Sequence, residues 1–389
     1  MATSPRTSRQ AIEALLDART PEGRHYDYKL TLPESSDRDV KEFLADVSSL
    51  ANTSGGLLII GIREEGGCPV ETVGIENANT DAHIARLDAF IRDGVEPRIP
   101  GVQVVPHDIN GKLVFVIDVP RSWALPHAVT ARGHWRFYAR NSAGKYPLDV
   151  GELRGAFEVS AATRDRVNTL RVRRLAAIAA GETPLPVSQT ATTALHLVPL
   201  NSLDPGFAVD LSGISKSASA MRPMYGAGWS CRYFFEGFAT FSRLDQQPAL
   251  SYTLLMRDGM LEAVDTALLR PYQGRPLVPG VAYEQKILGA ISRYLTILPN
   301  LGVTPPVIIL LSLLGVRGYL LAGEDYGMGF RGEQLDRDEL ILPGVTLDDL
   351  NADPTPRLRP MFDALWNAFG YEKSANFDEQ GNWIGDKRG

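Results

Sequence analysis

The chain has 389 residues, 44% hydrophobic and 22% charged, enough apolar material to fill two cores. Its net charge of −6 excludes a general nucleic-acid coat protein, but a local basic cleft remains compatible with an acidic total. Two cysteines, Cys68 and Cys231, cannot build a zinc site and imply no disulfide framework. Met1 to Ser8 lacks an apolar leader core, and the longest apolar stretch, Val307 to Gly315, is about half a membrane span. A soluble cytoplasmic protein is expected, with no membrane partner.

In chain order, Arg9 to Ala18 reads as a helix, with Ile12, Leu15 and Leu16 in register and Ser8 as its cap. From Tyr26 to Leu32 the period is two, so Asp27 and Lys29 share one face of a strand. Asp39 to Ala51 is a second helix, with Val40, Phe43, Leu44 and Val47 facing inward, and Asp81 to Asp93 a third. Between the last two lies Ala51-Asn52-Thr53-Ser54-Gly55-Gly56, a helix end and glycine turn, and then the buried strand Leu57 to Ile62. Asp108-Ile109-Asn110-Gly111 is a hairpin turn between two strands. In Trp135 to Arg140, alternation assigns Trp135, Phe137 and Ala139 to the core and Arg136, Tyr138 and Arg140 to a polar face.

A basic helix follows from Thr163 to Ala180, and Gly181-Glu182-Thr183-Pro184-Leu185-Pro186 is the expected domain boundary. Beyond it, strands are expected at Ala194 to Pro199, Tyr233 to Phe241, Leu250 to Arg257 and Leu261 to Val264. A helix from Tyr283 to Leu298 and a strand from Val307 to Leu313 complete this region, which contains no phosphate-binding loop motif. The fold class is α+β, and the domains are residues 8–158, a basic helical linker 159–183, an α+β domain 184–372 and a flexible tail 373–389.

Chemistry concentrates at Glu22, Asp27 and Lys29 and at the acidic end of the next strand, Glu64 or Glu65. Three carboxylates from neighbouring strands could gather round Mg²⁺ or Mn²⁺, since hard cations take oxygen ligands. A solvated Asp27–Lys29 ion pair is the plainer alternative. His25 and His127 are weaker candidates for contact with substrate, each matched by a bland rim or loop histidine. Basic and aromatic residues interleave from Arg132 to Tyr146, where Arg136, Arg140 and Lys145 could meet phosphates and Trp135 or Tyr138 a base.

Taken together, Glu22 with Asp27-Tyr28-Lys29, the Ala51–Gly56 turn, the Leu58–Ile62 strand and Glu64-Glu65-Gly66 resemble the Schlafen AlbA-like domain. The resemblance extends through Val119-Pro120-Arg121-Ser122, Pro126-His127, Phe137 to Gly144 and Glu152 to Phe157, and covers about residues 10 to 158. It implies an N-terminal mixed α/β domain that handles nucleic acid, with Arg121, His127, Arg136, Tyr138, Arg140 and Lys145 as contacts. In Schlafens that cut transfer and ribosomal RNA, three acids form the endonuclease site. Carried over, these are Glu22, Asp27 and Glu64 as catalytic and metal-binding residues, with Lys29 beside them. Asp27 stands where those nucleases carry glutamate, and Glu64 where they carry aspartate.

Two functions follow from the resemblance. One is a metal-dependent endoribonuclease acting on structured RNA such as tRNA, in bacterial anti-phage defence, with Mg or Mn as cofactor and no zinc. The other is a DNA- or RNA-binding regulator without turnover. The vertebrate proteins pair two related lobes around RNA, whereas this chain has one, so a homodimer is expected.

Overall fold

Strand pairing in the first part of the chain depends on two glycines that let three backbones crowd together. In the computed structural model, which describes residues 7–76, 79–133, 135–188, 190–226, 228–242, 248–322 and 333–385, Gly55 has φ 68°. A Cβ there would lie 2.5 Å from the backbone nitrogen of Arg121, and one on Gly56 would strike the carbonyl of His25. Only glycine admits that approach.

The chain divides into two compact units, residues 1–165 and 166–389. The first unit begins with α1 (Arg9–Asp17), capped by the Ser8 hydroxyl as expected. It continues through β1 (Tyr26–Lys29), α2 (Asp37–Ala51), β2 (Gly56–Ile60), β3 (Ile62–Glu65), β4 (Cys68–Thr72), α3 (Thr80–Gly94) and β5 (Val95–Glu96). Next come β6 (Gln103–Ile109), β7 (Lys112–Val119), β8 (Ala128–Val129), β9 (Arg136–Asn141) and β10 (Gly144–Pro147). One sheet has the order β1-β2-β7-β6, with β1 parallel to β2, and a second has the order β10-β9-β8-β5. Side chains of β2 alternate between two cores. Leu58 and Ile60 pack with Phe43, Leu44 and Val47 of α2, while Leu57 and Ile59 pack with Ile12 of α1 and Tyr28 of β1. Both sheet faces are therefore covered, which explains why the β2 run is apolar throughout.

The helix α4 (Val150–Ala179) is one continuous element. Its end is a Schellman motif, with Glu182 N donating to the Ala177 carbonyl and Gly181 N to that of Ile178. The Gly181–Pro186 stretch therefore caps a helix, and the division between units falls at residue 165 instead. Nor is the basic stretch of this helix wholly solvated. Arg171 is buried, with its guanidinium on Ser312 Oγ and the carbonyls of Leu311 and Leu342.

The second unit contains β11 (Thr192–Pro199), β12 (Trp229–Tyr233), β13 (Gly237–Ser242), β14 (Ser251–Met256), β15 (Leu261–Asp265), β16 (Leu277–Pro279) and α5 (Gly280–Leu295). After these come β17 (Val307–Leu314), β18 (Leu320–Ala322), β19 (Glu339–Ile341), β20 (Val345–Leu347) and α6 (Thr355–Asn367). Its main sheet runs β12-β13-β14-β15-β11-β17-β19, with β20 also on β17. The expected single strand Tyr233 to Phe241 is in fact a hairpin, with Phe235 at its tip 93% exposed. Periodicity alone did not reveal that reversal, because the turn itself carries the apolar pair Phe234-Phe235. Helices α5 and α6 pack on one face of the sheet, and Leu175 and Ile178 of α4 join the core on the other. Mixed helix and strand content confirms the α+β class. Among the described residues, no helix is long and apolar enough to cross a membrane.

The segment read as a flexible tail packs inward. Ser374, Asn376 and Phe377 are buried, and Phe377 meets the ring of Trp383. Its anchor is Glu284 on α5, whose carboxyl accepts from Trp366 Nε1 at 2.5 Å, Ser374 Oγ at 3.0 Å and Asn376 Nδ2 at 2.8 Å. Burial pushes the Glu284 carboxyl up to about 7, although these three donors oppose the shift. The folded chain thus keeps a proton that the unfolded chain releases above its ordinary carboxyl range, so this stabilisation is present in acid and lost as pH rises towards 7. Glu284→Gln should remove up to about 3 kcal/mol of that pH dependence. Thermal unfolding of both proteins from about pH 4.5 to 7.5 measures it, the wild-type curve falling and the variant's staying flatter.

Candidate nucleic-acid site

Three elements build the site. Strand β1 turns Asp27 and Lys29 to one side, α2 supplies Asp46 from its buried face, and the β9–β10 hairpin sets Arg140 directly opposite Lys145. Asp27 is 3% exposed. Its Oδ2 accepts from Arg140 Nη1 at 2.6 Å, and its Oδ1 lies 2.7 Å from Lys29 Nζ. Arg140 is itself buried, and its Nε donates to the Gly23 carbonyl at 2.9 Å. Asp46 lies 3.4 Å from Lys29, 3.8 Å from Arg140 and 2.9 Å from Lys145, which also reaches Glu42 at 2.5 Å. Two buried acids are thus held by three cations.

The two acids diverge in proton affinity. Burial pushes the Asp27 carboxyl up, but Lys29 and Arg140 outweigh it and hold the group below its ordinary value. Burial and the charge of Asp27 together push Asp46 up, despite Lys29 and Lys145. Lys29 stays firmly protonated, because Asp46 and Asp27 overcome the effect of its own burial.

The other two expected acids lie beside this cluster. Glu22 is half-buried; its Oε1 accepts from Tyr28 N at 2.8 Å, and its own N donates to the Gly67 carbonyl at 2.7 Å. Glu64 accepts from Gly67 N at 2.6 Å. Burial raises the Glu22 carboxyl, the Tyr28 amide opposes this, and the charges of Asp27 and Glu64 add to the rise. Of the two register alternatives, Glu64 is the one whose charge reaches Glu22.

These acids do not form the expected metal centre. Among the described residues, no three of His, Cys, Asp or Glu are grouped to hold an ion. Both Asp27 oxygens already face the cations Lys29 and Arg140, so a hard divalent ion would have to displace an internal charge. As placed, Glu22, Asp27 and Glu64 do not fit Mg²⁺ or Mn²⁺.

The six expected nucleic-acid contacts separate clearly. Arg121 and Arg136 are exposed, Arg121 stacking 4.5 Å from the Trp123 ring. Tyr138 is half-buried against the α2 core. Arg140 and Lys145 are committed to Asp27, Asp46 and Glu42 rather than turned to a ligand. His127 is fully buried, with Nδ1 at 2.7 Å from the Pro97 carbonyl, and burial lowers its imidazole to about 4. It is a neutral structural residue. Its backbone is clasped by Asn52, which accepts from His127 N and donates to the carbonyls of His127 and Tyr138. Trp135, expected in the core, precedes β9 and is 67% exposed, while Arg140 on the supposed polar face is internal. His25 is exposed at the start of β1.

Sequence reasoning missed Asp46, Asn52 and Arg24. The signal for Asp46 was available, because it lies among Phe43, Val47 and Leu50 on the inward face of a helix, where an acid requires a partner. Arg24 is exposed and lines an open cleft of about 640 Å³ with Glu22, Arg140, Asn141, Ser142 and Tyr146.

Residues 22–149 match the family model described as Schlafen, AlbA_2, and a further C-terminal region follows them. Among solved structures, the DIP2311 protein from Corynebacterium diphtheriae is 22% identical, with TM-score 0.26, over 36% of this chain and 26% of that one. The N-terminal domain of an ATP-dependent DNA helicase RecG-related protein from Nitrosomonas europaea is 20% identical, with TM-score 0.23, over 28% of this chain and 71% of that one. The chain thus spans about a quarter of the first structure's length. No curated protein matches it.

Removing one member of the Asp27–Arg140 pair strands a buried charge, so Asp27→Ala or Arg140→Ala should each cost about 3–5 kcal/mol. The double variant Asp27→Ala/Arg140→Ala should cost less than the sum of the two single changes. Chemical denaturation of the three variants checks this, and additive losses would show that the pair is not coupled.

Proposed function

We propose that residues 22–149 bind nucleic acid beside the Glu22–Tyr146 cleft, with Asp27 and Asp46 acting as anchors for cations. The observation that carries this reading is the pairing of Asp27 with a cation on each oxygen, which offsets the charge that would otherwise repel a phosphate. Arg24 at the cleft, with exposed Arg121 and Arg136 on the same unit, offers charge to phosphates. Exposed Trp135 next to Arg136 suits stacking on an unpaired base, which favours looped RNA such as tRNA over duplex DNA.

Three phosphate contacts give a slope of log affinity against log salt of about −2.7 on a duplex and about −2 on a single strand. Arg136→Ala should flatten that slope by just under one, and Trp135→Ala should weaken single-stranded binding by about 1–3 kcal/mol while sparing duplex. Fluorescence anisotropy with tRNA, single-stranded DNA and duplex DNA at several salt concentrations tests both. Affinity that ignores salt and both substitutions defeats the proposal.

Cleavage of the bound RNA is the second reading, favoured by Glu22. A half-buried carboxyl whose proton affinity is raised by burial, Asp27 and Glu64 is suited to accept the proton of an attacking 2′-hydroxyl. Activity would then rise with pH through the elevated Glu22 range and level off. Denaturing gels of tRNA incubated with and without Mn²⁺ decide the matter. Products lost in Glu22→Gln, with unchanged thermal stability, support turnover, and intact tRNA under all conditions leaves the binding function alone.

A further inference from the structure

The first half of α4 carries an apolar seam largely open to solvent. Val150, Leu153, Phe157 and Ala161 recur at spacings of three and four, so they share one face of the helix. Val150 is 76% exposed and Phe157 56%, and with Arg154 and Glu158 the four line a shallow groove of about 450 Å³. A scattered exposed apolar residue is ordinary, but a row of them along one helix face marks a contact surface.

Charge identifies the occupant. At about 3.6 residues per turn, Arg154 and Glu158 lie on the same flank of the seam, while Ala156 and Ser160 lie on the other. When two copies of one helix pack antiparallel, like flanks meet; when they pack parallel, opposite flanks meet. Antiparallel pairing about the middle of this segment sets Val150 against Ala161 and Leu153 against Phe157 of the second copy. It also sets Arg154 of each copy against Glu158 of the other. Parallel pairing would instead face both charges with Ala156 and Ser160. Among the described residues, neither Arg154 nor Glu158 has an ion-pair partner of its own.

We propose that this seam joins two copies of the chain, with α4 packed antiparallel on itself and two reciprocal Arg154–Glu158 pairs setting the register. The inference rests on this surface alone and is tested without nucleic acid, so it stands or falls separately from the proposed function. A seam about 18 Å long falls short of a standard interface, and the dimer is accordingly weak, with dissociation in roughly the micromolar range or above.

Sedimentation velocity of the full chain over a range of concentrations tests the proposal. Self-association is expected, and Leu153→Lys should abolish it. Arg154→Glu or Glu158→Arg alone places like charges together and should weaken association about fivefold or more. The double variant Arg154→Glu/Glu158→Arg exchanges the charges and should restore it. Circular dichroism melts that match wild type exclude misfolding as the cause. A monomer at every concentration, a dimer indifferent to the single changes, or a double variant as weak as the singles overturns the proposal.

Discussion

The buried pair of Asp27 and Arg140 is the constraint on which the first unit depends. Asp27 belongs to the β1-β2-β7-β6 sheet and Arg140 to the β10-β9-β8-β5 sheet, so this one contact ties two sheets together. Neither group could be buried alone, because an isolated charge in an apolar interior costs more than folding can spare. The second hydrogen bond of Arg140, to the Gly23 carbonyl, fixes the loop that carries Glu22 and Arg24. Geometry at the cleft is therefore set by the Asp27–Arg140 pair, of which Arg140 also lines the cleft.

Charge balance follows from the same contact. Asp46 faces Lys29, Arg140 and Lys145, so its negative charge holds together groups that would otherwise repel. Burial and the charge of Asp27 raise the proton affinity of Asp46, whereas Lys29 and Arg140 depress that of Asp27. A carboxylate cluster arranged this way keeps cations in place. Each oxygen of Asp27 faces a cation, Lys29 on one side and Arg140 on the other.

The second unit repeats the device with other residues. Glu262 is buried and accepts a forked pair from Arg174 at 2.7 and 2.8 Å, Tyr252 at 2.8 Å and His196 at 3.0 Å. Burial opposes ionisation, yet His196 and Arg174 bring the carboxyl down to about 2. Arg174 thereby fastens the end of α4 to the sheet, as Glu284 fastens the C-terminal segment to α5. Among the described residues, Arg171 has four neutral acceptor contacts and no carboxylate hydrogen-bond partner, and burial brings it down to about 10.

Local signals were legible from the chain itself. Ser8, the apolar period from Asp39 to Ala51, the Asn110-Gly111 turn and the glycine pair at 55 and 56 each specify a short-range conformation, and each forms as expected, the helix starting at Asp37. So did the shared face of Asp27 and Lys29, because a strand alternates whatever surrounds it. Partnership across the chain was not legible. Period two could not say that Arg140 on the polar face of β9 would be internal, since it is so only because Asp27 waits there, 113 residues away in sequence. Nor could it separate β12 from β13, or show that His127 would be enclosed by Asn52 and Pro97. Sequence by itself determined where the backbone bends and which residues alternate, because those depend on near neighbours. Tertiary structure alone decided which charges neutralise one another, because ion pairing depends on proximity in space and on the water excluded around it.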